Sequence, residues 1–157
     1  MPFDQSELRR VMGHFATGVT VITTHDGAGR CYGLTANAVC SLSLTPPLVL
    51  VCIDKRAESY PAFDRSRAFV VNVLGEQHEE LSRRFAVSGG EKFTGLACRN
   101  AGSGAPILED ALAWVDCRVV AAHEGGDHTI YIGEVEDAGA GAGHPLLFFR
   151  GRYHRLP

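Results

Sequence analysis

Hydroxyl, amide and thiol side chains crowd into residues 33–54, which read GLTANAVCSLSLTPPLVLVCID. Thr35, Asn37, Ser41, Ser43 and Thr45 stand among small residues, Pro46-Pro47 turns the chain, and 48–53 is an unbroken apolar run. Small side chains let a ligand approach backbone N–H groups, and hydroxyls add donors and acceptors. A buried strand directly afterwards supplies a rigid floor. That is the layout of a binding wall for a polar, planar ligand. The same residues also suit a plain β-turn-β unit with a polar turn, and spacing alone does not separate the two.

Other groups with chemical potential are sparser. Asp54-Lys55-Arg56 follows the apolar run, where charges meet either a ligand phosphate or bulk water; in isolation a solvated charge run is the better reading. Arg83-Arg84-Phe85 reads as an exposed helix face with one core aromatic, and Gly126-Asp127-His128 as a tight turn carrying one histidine. No G-x-G-x-x-G follows a strand, no phosphate-binding P-loop occurs, and G-x-S-x-G is missing. The five cysteines are odd in number and contain no C-x-x-C, which fits small packing thiols and neither a disulfide framework nor a zinc site. Of seven histidines only His123 and His128 lie close together, two imidazoles without a third ligand.

The elements that must position these groups are mostly strands. Residues 4–15 predict an amphipathic helix, with Asp4 and Glu7 as a capping box and Leu8, Val11, Met12 and Phe15 on one face; Thr17-Gly18 ends it. The β-branched run 19–24 folds back through Asp26-Gly27 onto 30–35 as a hairpin. A buried strand at 48–53, a short helix within 57–66, a strand at 68–74 and a second helix at 76–86 follow. A loop then runs from Gly89-Gly90 to about residue 107. From 112 to 122 the odd positions are apolar while the even ones include Asp116 and Arg118, which predicts a strand with one buried face. A further strand at 129–136, a flexible run at 139–143 and two final strands complete a single antiparallel barrel of seven or eight strands.

Composition narrows the class. The chain has 157 residues, 45% apolar and 21% charged, as for one globular domain. A net charge of −3 argues against a nucleic-acid partner, and no apolar stretch approaches a membrane span. The start, MPFDQSELRR, lacks the apolar core of a secretory signal, so a cytoplasmic location is expected, and no further module is expected beyond Pro157.

Taken in order, several segments resemble the flavin reductase-like family, the small reductase components of two-component flavin-dependent monooxygenases. They are FATGVTVIT at 15–23, GLTANAVCSLSLTPPLVLVCI at 33–53, FVVNVL at 69–74, LSRRFA at 81–86, EKF at 91–93, GDHTIYIGEV at 126–135 and FFRGRYH at 148–154. The resemblance spans nearly the whole chain.

It implies an FMN-binding split barrel, mainly β with a few helices, forming a homodimer with the flavin near the subunit interface. It further implies an NAD(P)H-dependent reductase of FMN or FAD, using NADH or NADPH, with reduced flavin supplied to a separate oxygenase. Carried onto this chain, Thr35, Ala36, Asn37, Ala38, Ser41, Leu42 and Ser43 would line the flavin ring and ribityl edges. Cys52, Ile53, Asp54 and Lys55 would run beside the ribityl and phosphate, with Lys55 as the cation, and Arg84 and Phe85 would close the pocket. His128, Arg152 and Tyr153 would hold the nicotinamide nucleotide. Hydride passes directly between the two cofactors in this scheme, so no catalytic side chain and no metal is expected. A non-catalytic flavin-binding protein, and a barrel oxidase of the pyridoxamine-phosphate oxidase type with tightly bound flavin, are the alternatives.

Overall fold

Period-two and doubly apolar runs dominate the chain, and among the described residues they form twelve strands interrupted by three short helices. The structure is a computed structural model and describes residues 2–157. The order is α1 (Gln5–Met12), β1 (Thr17–Gly18), β2 (Thr20–His25), β3 (Cys31–Ala36), β4 (Val39–Leu44) and β5 (Pro47–Asp54). Next come α2 (Tyr60–Ser66), β6 (Ala68–Val73), α3 (Glu79–Phe85), β7 (Cys98–Asn100) and β8 (Pro106–Leu108). The long pair β9 (Ala113–Gly125) and β10 (His128–Ala140) precedes β11 (Leu146–Phe149) and β12 (Arg152–Arg155).

Seven strands form one antiparallel sheet in the order β3-β2-β6-β9-β10-β5-β4; β1, β11 and β12 form a second sheet, and β7 with β8 a third. The seven-stranded sheet does not close through hydrogen bonds, because β3 and β4 are its two edges. Yet those edges are consecutive in the chain, joined only by Asn37 and Ala38. Three Cα steps cover at most about 11 Å, so the sheet is rolled until its opposite edges nearly meet. This is a split barrel.

Strands β2 and β6 bury residues on both faces, which explains why neither alternates. One face packs Ile22, Val51, Ile53, Phe63, Phe69 and Tyr131 into the barrel core, where the Phe63 and Tyr131 rings stack at 5.5 Å between centroids. Opposite, Val19, Val21, Leu74, Leu81, Phe85 and Leu146 pack under α3. Between them Asn72 is fully buried and satisfied: its amide donates to Val21 O and Thr23 Oγ1, both at 3.0 Å, and its oxygen accepts from Leu108 N at 2.9 Å.

Several sequence expectations change in detail. Helix α1 stops at Met12, and Thr17-Gly18 is a strand paired to Phe148 and Leu147. Asp4 caps it by accepting from Ser6 N at 3.0 Å, but Glu7 pairs with Arg10 at 2.7 Å instead of returning to Asp4, so no capping box forms. On β9, Cys117 and Val119 are buried as alternation requires, but Asp116 is buried too. A loop supplies its partners, Ser103 N at 3.2 Å and Ser103 Oγ, so this face is covered by polar contacts that periodicity does not register. The run at 139–143 begins inside β10, with Gly139 paired to Trp114. A Cβ on Gly139 would lie 2.6 Å from Trp114 Nε1, so glycine here admits an indole and does not mark flexibility. The 89–107 loop contains β7 and the start of β8.

Two outcomes follow from the core. A Cβ on Gly133 would lie 2.6 Å from Phe69 Cζ and 2.7 Å from Cys117 Cβ. Gly133→Ala is expected to cost about 1–3 kcal/mol by overpacking, read from the midpoint of urea unfolding. Burial pushes the Cys117 thiol up to about 12, so it stays neutral while an unfolded thiol ionises near 9. Its contribution to stability is therefore complete below pH 9 and declines as pH rises from there toward 12. At mildly alkaline pH, iodoacetamide should label exposed Cys40 and spare Cys117 in folded protein, as read by peptide mass spectrometry.

Candidate functional site

Beside the link that joins the two sheet edges lies a cleft of about 510 Å³. Its walls come from the end of β3 and the Asn37-Ala38 link, the end of β5 with the turn after it, the segment following α3, and His128 at the start of β10. Strand alternation selects what β5 contributes. Val51 and Ile53 are fully buried in the core, so Cys52 and Asp54 face the cleft. Gly33 lies behind Phe85: a Cβ there would stand 2.7 Å from Phe85 Cε1. The Phe85 ring is braced edge-on by Phe93 at 5.2 Å, which makes a fixed aromatic element in the wall.

Polar groups in this cleft are unevenly satisfied. Thr35 Oγ1 donates to Ser82 O at 2.6 Å, so its hydroxyl proton is turned toward α3. Ser59 is 3% exposed, lines the cleft, and carries the one buried side-chain oxygen or nitrogen without a hydrogen-bond partner among the described residues. It precedes α2 yet makes no side-chain capping bond. An orphaned buried hydroxyl costs stability unless a ligand completes it. Lys92 is half-buried, and its Nζ donates to Gly33 O at 3.4 Å. Burial lowers its ammonium below the usual range and Glu58 opposes this; among the described residues no carboxylate oxygen lies within 4.0 Å of it. A free, partly desolvated cation is a ready counter-charge for an anion. Arg56 is already engaged: it hydrogen-bonds Asp54 at 3.0 Å and holds that carboxyl at about 2.

Of the residues singled out in the sequence, Thr35, Ala36, Asn37, Ala38, Cys52, Asp54, Phe85 and His128 come together in the cleft wall. The others stand elsewhere. Ser41, Leu42 and Ser43 lie on edge strand β4, where the pairing slips at Leu42, and they do not line this cleft. Ile53 is buried, Lys55 turns away to pair with Glu124, and Arg84 pairs with Glu80 at 3.2 Å. Arg84 also donates to the carbonyls of Lys92 and Thr94, both at 3.3 Å, and so holds the segment that carries Lys92. His128 bonds Asp127 at 2.7 Å and lies opposite Asp54 across the β5–β10 ladder. Tyr153 donates to or accepts from Ser82 Oγ at 2.6 Å and lines an adjoining cleft of about 200 Å³, which shares Thr35, Ala36, Asn37 and Ala86 with the first. Its neighbour Arg152 faces a separate groove beside Phe149, Arg150 and His154, because successive residues of β12 point to opposite sides. Sequence reasoning missed Ser59 and gave Lys92 no role. Ser before Tyr-Pro reads as an ordinary helix cap, and Lys92 stands in the EKF segment already noted.

Residues 12–157 match the model of a family described as the flavin reductase like domain. The chain belongs to that family. The reductase component of a 4-nitrophenol 4-monooxygenase/4-nitrocatechol 2-monooxygenase from Rhodococcus opacus is 46% identical to this flavin reductase-like chain, covering 99% of it and 84% of the relative. The solved structure of the flavin reductase PheA2 superposes with a TM-score of 0.91 at 42% identity, covering 99% of both chains. The NADH:FAD oxidoreductase SgcE6 from Streptomyces globisporus, solved with NAD and FAD fragments, gives a TM-score of 0.92 at 39% identity over 98% of this chain and 93% of that one.

The clamp on the Lys92 segment has a direct readout. Arg84→Ala should release the carbonyls of Lys92 and Thr94 and speed tryptic cleavage after Lys92 severalfold, with global unfolding little changed. Equal cleavage rates for the two proteins would show that the guanidinium does not hold this segment.

Proposed function

We propose that this chain is an NAD(P)H-dependent flavin reductase that reduces FMN or FAD with NADH or NADPH and supplies the reduced flavin to a separate monooxygenase. The observation that carries the reading is the cleft at the split, where an orphaned Ser59 hydroxyl and the unpaired Lys92 ammonium face the same space as small-residue backbone. That donor set fits a flavin. Lys92 and Ser59 suit its phosphate end, and the backbone of Ala36, Asn37 and Ala38 suits the polar ring edge. The names of relatives agree: one is the reductase component of a nitrophenol monooxygenase, another a flavin reductase.

When bound, the flavin supplies the hydride acceptor for the nicotinamide donor, and the work left to the chain is placement. Phe85, backed by Gly33, fixes one boundary of the ring site, and the link between β3 and β4 fixes another. The adjoining cleft beside Tyr153 offers room for a second planar group against the same Thr35–Asn37 wall. A protein that merely stores flavin has no need of this second cleft, and that favours the reductase over the binding protein. His128, at the mouth opposite Asp54, contributes a hydrogen-bonding group toward the donor. No side chain acts as nucleophile.

Homodimerisation belongs to the same proposal. Leu8, Val11, Met12 and Phe15 are all exposed on and just after α1, an apolar surface that suits a second copy. No helix among the described residues is long and apolar enough to cross a membrane.

Purified protein given NADH and excess FMN or FAD should consume the NADH absorbance catalytically, and the colour should be lost on dialysis. No turnover with either flavin and either nicotinamide nucleotide would sink the reading, and retained yellow colour would favour the tight-binding oxidase. His128→Ala should raise KM for NADH about tenfold, the scale of one lost charge-assisted contact, and change kcat little. An unmoved KM removes His128 from the donor site.

A further inference from the structure

Beyond the main cleft a bay of about 180 Å³ continues past Ser59, and the two spaces share Glu58, Ser59 and Lys92 as a common threshold. Farther in, the bay is bordered by Tyr32 and Phe93, with the Arg30 guanidinium 5.1 Å from the centre of the Tyr32 ring. We propose that this bay receives the adenosine half of FAD, so that the chain selects the dinucleotide flavin over FMN. The inference rests on the flavin reductase reading and goes further by choosing between its two flavins.

What differs at the threshold is where the charge is concentrated and whether the ligand continues past it. FMN ends in a phosphate monoester, which carries close to two negative charges near neutrality. Lys92 is the cation shared by cleft and bay, Arg56 of the cleft wall is already paired with Asp54, and Glu58 lines both spaces while Glu91 lines the bay. Glu58 is fixed in place, accepting from Gly89 N at 2.8 Å. Two carboxylates beside a dianionic terminus repel it, and one half-buried ammonium does not compensate for both.

A diphosphate diester fits differently. Its total charge equals that of the monoester but is divided between two phosphates, Lys92 and the unpartnered Ser59 hydroxyl stand where the linkage crosses from cleft to bay, and the chain of the ligand continues inward. Past that point the ligand presents ribose hydroxyls and an exocyclic amine, all donors, and these suit the acceptor oxygens of Glu58 and Glu91. The purine meets flat surfaces, since bases stack on aromatic rings and on guanidinium planes. The nicotinamide donor has its own approach beside Tyr153, where the second cleft meets the Thr35–Asn37 wall without sharing any bay residue.

Dissociation constants for FAD and FMN, read from quenching of flavin fluorescence on titration with the protein, test the assignment. The wild-type chain should bind FAD at least tenfold more tightly than FMN. Tyr32→Ala should cut that ratio about fivefold to tenfold, the scale of one lost base–aromatic stack, by weakening FAD alone. Tyr32→Phe should restore it. Equal affinities for the two flavins in the wild type, or a Tyr32→Ala variant that weakens FAD and FMN alike, would overturn the proposal while leaving the reductase reading intact. A raised KM for NADH in Tyr32→Ala with unmoved flavin affinities would give the bay to the donor's adenosine, and likewise overturns it. Failure to bind either flavin strikes the underlying reading instead.

Discussion

Everything at this site depends on a two-residue link. Strands β3 and β4 occupy opposite edges of a seven-stranded sheet, yet only Asn37 and Ala38 separate them in sequence. A chain that short cannot span an open sheet, so the sheet must roll up, and it rolls without the edge strands pairing. The two edge strands therefore face each other across an unpaired seam. Ordinary sheets hide or blunt such edges; here the seam is floored by β5, with Ala38 O accepting from Cys52 N at 3.0 Å. The small residues of the link serve one physical end, which is to bring backbone close to whatever fills the split.

The second level of organisation is the sidedness of β5. One face carries Val51 and Ile53 into a core with no exposure, and the other turns Cys52 and Asp54 outward. Core and site are thus two faces of the same strand, and the stacked Phe63 and Tyr131 rings that hold the first also fix the second. Precision in the cleft is inherited from packing behind it. The same logic places Phe85, which belongs to the cluster under α3 and still borders the cleft because Gly33 leaves room for its ring.

Much of this was legible in the sequence, and the missing parts share a cause. The helices, the hairpin of β2 and β3 and the buried strand at 48–53 all follow from periodicity and turn residues, which are local signals. Burial of Asp116 is not local, because its cover is the Ser103 loop. Nor is the identity of the free cation. Lys55 stands next to the wall in sequence, but Glu124, from the neighbouring β9–β10 hairpin, takes it, whereas Lys92 arrives from a distant loop held by Arg84. Arg152 and Tyr153 are adjacent in sequence and part company because alternation on β12 sends them to different clefts. Which side chain is left without a partner is decided by tertiary pairing, and no spacing rule reports it.

That unpaired state has a thermodynamic direction. A buried hydroxyl with no partner and a half-buried cation without a carboxylate partner both cost stability relative to a paired arrangement. An anionic ligand that satisfies both recovers that free energy on binding, so part of its affinity is already stored in the fold. The amount is bounded, since Ala86, Val87 and Ser88 of the wall are exposed, so solvent and salt reach the site and screen its charges. On the proposed reading, two poised donors would orient a flavin at one end of the cleft, while the exposed wall would leave the reduced product a way out.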